Sequence, residues 1–575
     1  MSLFNVYLIV APLLLVFLSI RSAGGNFRQD QTACRRPELF GRPISIPLFL
    51  TIWVVLIVRH QVHDPAWTPH GPDWDRWYQS ALAVGSDIPY PPHRWPLWAW
   101  IANAFDTVSP RPFYVNVQLV TLGGTAALLT GVFWMAWRLY GHVGAVTATL
   151  LASLCPMVLQ TADWASAYSA WAAMVIWCIV AMMEFARSGG RLWAIACGAT
   201  WGGILAIMPK GLGIGLLLLP VLGMILLIRR KDGLKSLGRY VALFSLPVLI
   251  LGFSYARFPT PLMTLDARVV AADVVEPESV EADLHEEFVI HENFSPETYT
   301  DNGYVFGQQT SPATIINTLR MAGESTSSQD RMRIDSWARF TGALPTVDKW
   351  LLAILSLGLI AITVFSIRAR AWHEVVGWAG VLLVMFGVGI TILRPLFQLR
   401  FLTPAAPLIA VLAVAPTAFF ARRLATSRWR YSPLLMIPVA LLGPSPWTDN
   451  DTVDEWVEAV DVRGDTAMQI VSSIDRLDDV GPIDAMAPAN IAIPVLGEFG
   501  GRFLTPDPRF YPMTKPIVLD PNSHVLFVRD PLLLERMGDA DPFGPDEVTN
   551  FDERRELERW GAEGGMTVIL LGPTQ

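Results

Sequence analysis

Apolar residues along this chain come in long unbroken blocks rather than in alternating or helical-face patterns. Crossing a bilayer takes about 20 consecutive, mostly apolar residues. The blocks that meet or approach this length are Leu3–Ile20, Ile44–Val58, Phe113–Trp137, Val143–Leu159, Ala165–Ala186, Leu192–Met208, Leu212–Ile228, Tyr240–Tyr255, Trp350–Ile367, Val375–Leu393 and Phe401–Phe420, with a shorter run at Pro433–Gly443. The pattern predicts a polytopic α-helical membrane protein of about 12 spans. Leu3–Ile20 lacks a basic flank before it and a small-residue cleavage site after it, and reads as a retained span.

Two polar blocks interrupt the apolar ones. Residues 257–348 carry 15 Asp or Glu against 6 Arg. Residues 444–575 read as a small α/β domain. Ala467–Leu477 has helical periodicity, His524–Arg529 and Met566–Leu571 resemble buried strands, and Glu553–Trp560 resembles a helix between them. The expected organisation is an extra span and basic loop over 1–43, a membrane domain over 44–443 with loops at 60–95 and 257–348, and a terminal domain over 444–575.

Lys and Arg concentrate in the loops after the first, seventh and eleventh blocks. That bias assigns these loops to the cytoplasm and the loops at 60–95 and 257–348, with the carboxy-terminal block, to the outside. Composition agrees with a membrane chain: 52% of residues are hydrophobic, only 16% are charged and mean hydropathy is +0.39. A net charge of −8 argues against a nucleic-acid partner. The four cysteines avoid the polar blocks, so no disulfide framework is expected.

Sidedness singles out residues. Cations on the outer face run against the charge bias, and Lys210, Arg394 and Arg400 do so. A lipid phosphate is the counter-charge such residues suit, with snorkelling toward lipid head groups as the alternative. The loop at 60–95 brings Asp73 and Asp75 to the same face. A carboxylate there can accept or orient the proton of an attacking hydroxyl. Alternatively Asp73 caps the helix that Pro72 announces. Gly198 and Gly202, and the alternating Gly211, Gly213 and Gly215, read as helix-packing positions. His285 and His291 are spaced too far apart for the one-face pair of a zinc site, so that segment reads as a solvated acidic loop.

Taken in order, these motifs resemble the GT-C class of membrane glycosyltransferases. They are most similar to the bacterial branch of aminoarabinose transferases and protein O-mannosyltransferases, and so glycosyltransferase family 39-like. Asp73-Trp74-Asp75-Arg76-Trp77-Tyr78 with Ala81 stands where that class has its first-loop acidic motif. Pro96-Leu97-Trp98, Asp163, Gly203 through Lys210-Gly211-Leu212-Gly213 and Arg400-Phe401-Leu402-Thr403-Pro404 follow in order. The acidic pair is Asp-x-Asp rather than Asp-Glu, and the Arg often found shortly before the second Asp is absent.

The resemblance implies an inverting transfer of a sugar from a polyprenyl-phosphate donor to a lipid, protein or glycan acceptor. The location it implies is the outer face of the bacterial cytoplasmic membrane. It implies catalytic roles for Asp73, Asp75 and Asp163, phosphate binding by Lys210, Arg394 and Arg400, and a divalent cation held by Asp73, Asp75 and Asp163 as one option. A lipid or solute transporter is the alternative. The missing internal repeat and the scarcity of acids within the spans count against it.

Overall fold

The computed structural model describes residues 45–63, 67, 74–84, 96–208, 211–257, 371–392, 403–424, 467–477, 480–487, 489–503, 517–529, 554–561 and 567–574. Short pieces at 38–39, 42–43, 363–364, 366–367, 434 and 548–549 are described as well. The predicted spans Leu3–Ile20, Trp350–Ile367 and Pro433–Gly443 lie wholly or mostly outside these residues.

Every other predicted span is helical. The helices are α1 (Ser45–His63), α2 (Trp74–Ala83), α3 (Pro96–Asp106), α4 (Phe113–Tyr140), α5 (His142–Ser153), α6 (Pro156–Asp163), α7 (Tyr168–Ser188), α8 (Arg191–Ile207), α9 (Gly211–Arg229), α10 (Leu234–Arg257), α11 (Trp372–Ile392) and α12 (Ala405–Leu424). Among the described residues, Ser45–Val62, Phe113–Tyr140, Tyr168–Ser188 and Leu234–Gly252 are long and apolar enough to cross a membrane, and five shorter apolar helices accompany them. The block predicted as one span over Val143–Leu159 is instead two helices. Pro156 cannot donate to the preceding turn, so α5 stops at Ser153 and α6 starts afresh.

Helices α4 and α7 form the centre and run parallel. Gly124 faces the backbone of Ala170, Gly131 faces Ile176, and Trp134 and Arg138 reach Glu184. Helix α8 returns antiparallel to α7, with Gly203 against Met174. Helix α10 runs alongside α8. A Cβ on Gly198 would lie 2.0 Å from the carbonyl oxygen of Phe244, so only glycine permits this approach. The small-residue spacing is thus a helix contact. Helix α11 is antiparallel to α7, with Gly377 at Met183 and Gly380 at Ile179. These directions sort the helix ends into two sets. His63, Asp163, Tyr168, Ile207, Gly211 and Ile392 gather at one end; Tyr140, Ser188, Arg229 and Trp372 gather at the other.

The outermost helices present apolar side chains outward. Val55, Val58 and Val62 of α1 and Leu249 and Ile250 of α10 are exposed. Aliphatic faces of this length are stable against hydrocarbon rather than water. The chain is accordingly a membrane protein.

Carboxy-terminal residues form a five-stranded sheet of order β2-β1-β3-β5-β4, with β1 (Ile483–Met486), β2 (Gly501–Phe503), β3 (His524–Arg529), β4 (Arg554–Gly561) and β5 (Thr567–Thr574). Strands β2, β1 and β3 are parallel, and β5 and β4 are antiparallel to their neighbours. Helix α13 (Ala489–Phe499) crosses from β1 to β2. Residues 467–474 are helical and the two apolar runs are strands, as the pattern predicted. The predicted helix Glu553–Trp560 is wrong: these residues are strand β4, paired with β5 from Gly561↔Thr567 to Arg554↔Thr574. Glu, Arg and Leu favour helix locally. Pairing overrides this preference, because Arg554 is buried and donates to the carbonyls of Ser523, Gly572 and Asp520. The charged outer face of β4 suits a sheet edge. One apolar core runs from the helix bundle into this sheet without a break.

Candidate functional site

Asp163 ends α6, and its carboxylate is gripped from α1. Arg59 Nη1 donates to Oδ1 at 2.8 Å and Nη2 to Oδ2 at 2.9 Å, a bidentate fork. His60 Nδ1 lies 3.2 Å from Oδ1, and His60 Nε2 lies 3.0 Å from Gln118 Oε1. The Gln118 amide nitrogen donates to the Trp67 carbonyl at 2.9 Å, which fixes its oxygen toward the imidazole. Both ring nitrogens of His60 therefore face oxygen acceptors. The Trp67 ring packs 4.5 Å from that of His60, and its indole N–H donates to Gln61 at 2.6 Å.

Trp67 holds a left-handed backbone, φ 56°, unusual for a bulky residue. Its indole bond, its carbonyl bond and its ring contact together offset this strain. His60 is buried, whereas the side chains of Arg59 and Asp163 keep 29% and 17% exposure. Burial alone would raise the Asp163 carboxyl. Hydrogen bonds from His60 and Arg59, and their charges, outweigh it and hold the group below the usual carboxylate value.

Aromatic rings link this turn to the acid-bearing helix α2. Trp164 contacts Tyr168, Tyr168 contacts Trp77 edge-on at 6.2 Å, and Trp77 contacts Trp98 of α3. Trp77 stands two residues beyond Asp75. On its other side α2 meets α13. Gly497 packs against the Tyr78 ring and Phe113. Glu498 accepts the Phe113 amide at the start of α4. Burial, then the charges of Asp106 and Asp475, raise the Glu498 carboxyl against that bond. Burial, with Glu498 adding to it, also raises Tyr78.

Of the residues singled out by sequence, Asp163 is in this cluster and Asp75 is the second residue of α2. Asp73, Lys210, Arg394 and Arg400 lie outside the described residues, as do His285 and His291. The described neighbours of Lys210 are Met208 and Gly211, joined by a 2.8 Å backbone bond at the Asp163 end of the bundle. Helix α11, which precedes Arg394, also ends there.

Sequence reasoning missed Arg59, His60, Gln118 and Trp67. The rule that picked out Lys210, a cation on the acid-bearing side, applied equally to Arg59 at the close of an apolar block. Among the described residues no three His, Cys, Asp or Glu side chains converge as a metal site. Asp163, offered by sequence as one such ligand, gives both oxygens to Arg59.

No protein-family model and no curated protein sequence matches the chain. Among solved structures, ArnT from Cupriavidus metallidurans bound to undecaprenyl phosphate is similar over 91% of this chain and 97% of its own, at 12% identity and a TM-score of 0.39. The apo oligosaccharyltransferase of Archaeoglobus fulgidus is similar over 79% of this chain and 64% of its own, at 10% identity and a TM-score of 0.46. The chain thus spans a little under two thirds of the archaeal enzyme's length.

Proposed function

We propose that the chain transfers a sugar from a polyprenyl-phosphate donor to an acceptor hydroxyl or amide at one face of the membrane. The observation that carries this reading is the Arg59–Asp163–His60 cluster. It is a built polar site, partly open, at the end of an apolar bundle, and aromatic contacts tie it to the helix that carries Asp75. The order of the sequence motifs supports the same reading.

In the reaction an acceptor oxygen or nitrogen attacks the anomeric carbon from the face opposite the phosphate. The new bond forms as the bond from that carbon to the phosphate oxygen breaks, inverting the configuration. The electron pair leaves with the lipid phosphate, and the acceptor's proton passes to Asp73 or Asp75. Lys210, Arg394 and Arg400 stabilise the departing phosphate. A divalent cation would fall to Asp73 and Asp75, because Asp163 is already engaged by Arg59. The outer face of the cytoplasmic membrane is the assigned location. The carboxy-terminal sheet, packed against α2 through α13, contacts the acceptor.

The test is proteoliposomes supplied with a polyprenyl-phosphate sugar labelled in the sugar. With a cell-envelope extract as the source of acceptors, label should leave the polyprenyl-phosphate fraction with the native chain. It should stay there when Asp73 and Asp75 are both replaced by Asn in a protein that still folds. Full transfer by that double variant refutes the assignment. Mass spectrometry of envelope glycans with and without the gene identifies the sugar and acceptor.

A further inference from the structure

The guanidinium of Arg59 has five N–H groups, and Asp163 uses two of them. Among the described residues Arg59 makes no other hydrogen bond, so three N–H groups are turned away from the pair. The side chain is 29% exposed, which leaves them within reach of a ligand. Asp163 is the more fully used partner. Its Oδ1 takes both Arg59 and His60, and its Oδ2 takes Arg59. Behind it stand buried His60, Gln118 and the strained Trp67. Such a chain of bonds sets the orientation of one guanidinium. It leaves the carboxylate little capacity for proton transfer.

The surroundings of Arg59 name the ligand. On a helix, Val55 at i−4 and Val62 at i+3 share its face. With Val58 they form an exposed apolar stripe, Val55 60%, Val58 58% and Val62 73% open. Asp163 satisfies only two of the five N–H groups of this guanidinium, and beside a hydrocarbon-facing stripe the others are costly to leave without an acceptor. A ligand that lays an apolar chain along this stripe brings its head group to Arg59. A planar fork with three spare N–H groups suits the oxygens of a phosphate.

We propose that Arg59, oriented by Asp163 and His60, binds the phosphate of a lipid whose chain lies along α1, and that Asp163 is a positioning residue rather than the catalytic acid or base. The proposal rests on the polyprenyl-phosphate reading above and adds to it a phosphate ligand that the sequence did not mark.

Native mass spectrometry of the full chain tests it with four probes: undecaprenyl phosphate, undecaprenol, phosphatidylglycerol and inorganic phosphate. The native chain should retain undecaprenyl phosphate about tenfold better than undecaprenol, the scale of one set of charge-assisted hydrogen bonds. Arg59→Gln should reduce that preference several-fold, the other cations retaining the rest, while leaving undecaprenol binding unchanged. The double variant Arg59→Gln with Asp163→Asn removes both charges without changing shape, so it excludes misfolding as the cause and should show the same loss. Arg59→Lys, with charge but no fork, should keep part of the preference.

Undiminished preference in the double variant overturns the proposal. If the preference falls only when Lys210, Arg394 or Arg400 is replaced, Arg59 is excluded while the donor reading stands. A native chain that does not distinguish undecaprenyl phosphate from undecaprenol overturns both. Equal displacement by phosphatidylglycerol or inorganic phosphate overturns the assignment to a polyprenyl carrier.

Discussion

Each end of the helix bundle holds a carboxylate gripped by arginine, and the two grips are built to different plans. At the Tyr140–Ser188 end, Glu184 accepts from Arg138, from the Trp134 indole at 2.8 Å and from Arg187 at 3.1 Å. Glu184 and Arg138 are each only 1% exposed. Close by, Arg229 donates to the carbonyls of Phe185 and Ala186, closing the last turn of α7 before the left-handed Gly189. Around Glu184 every described contact is internal, and the cluster joins helices to one another. At the opposite end the Arg59–Asp163 pair uses the same chemistry but stays partly open, with three Arg59 N–H groups that no described residue takes up. Burial depth distinguishes a fastening from a site here, because identical charges are costly to separate when sealed and available to a ligand when not.

Substitutions sharpen the contrast. The largest effect is expected at the sealed end. Glu184→Ala leaves Arg138 buried without its carboxylate, a loss on the order of 3–5 kcal/mol. Thermal unfolding followed by size-exclusion chromatography should show collapse of the folded fraction. Joint replacement with Arg138→Met should recover much of it. A mild phenotype for Glu184→Ala would mean that this end is not the fastening described.

Asp163→Asn should cost far less stability, about 1 kcal/mol for a part-exposed pair. It should nevertheless reduce lipid-phosphate retention by freeing the Arg59 side chain. The reverse result, unfolding with intact binding in the folded remainder, would make the two ends alike.

Acid should separate them further. Asp163 titrates below its ordinary value, so its contribution to stability is complete above the usual carboxylate range. It is lost as pH falls through the lower, folded value. A melting-temperature profile between pH 6 and 3, in steps of about half a unit, should therefore show the native chain above Asp163→Asn at its upper end, with the two converging only at its acid end. Profiles that already converge near neutrality would contradict the grip.

Glu498, where the carboxy-terminal sheet meets α4, is the smallest test. Its carboxyl is raised, so its contribution to stability falls as pH climbs through the unfolded and then the folded value. Glu498→Gln keeps an oxygen for the Phe113 amide and should give a slight gain in melting temperature at neutral pH. A marked loss would show that the charge itself secures the contact.

The sheet and the bundle differ also in how legible they were. Helices α4, α7 and α8 follow from uninterrupted apolar runs, and their limits fall within a few residues of the pattern. The break at Pro156 was visible in principle, since proline punctuates a helix wherever it stands. Strand β4 was not visible. Arg554-Arg555-Glu556-Leu557 has no local reason to be extended, and only the partner strand and the carbonyls around Arg554 make it so.

The site divides in the same way. Asp163 was marked by its place in an ordered set of motifs. Its partner was not, because 104 residues separate Arg59 from Asp163 along the chain.

By itself the sequence determined that this protein lives in a membrane and where its described membrane helices run. Those properties depend on local composition and on the cost of placing polar groups in hydrocarbon, which each segment meets alone. Only the tertiary structure decided that Asp163 faces Arg59 and His60, that the pair at Glu184 is sealed, and that α13 rests on α2. Contacts between distant segments depend on how whole helices pack, and no short stretch of sequence carries that information.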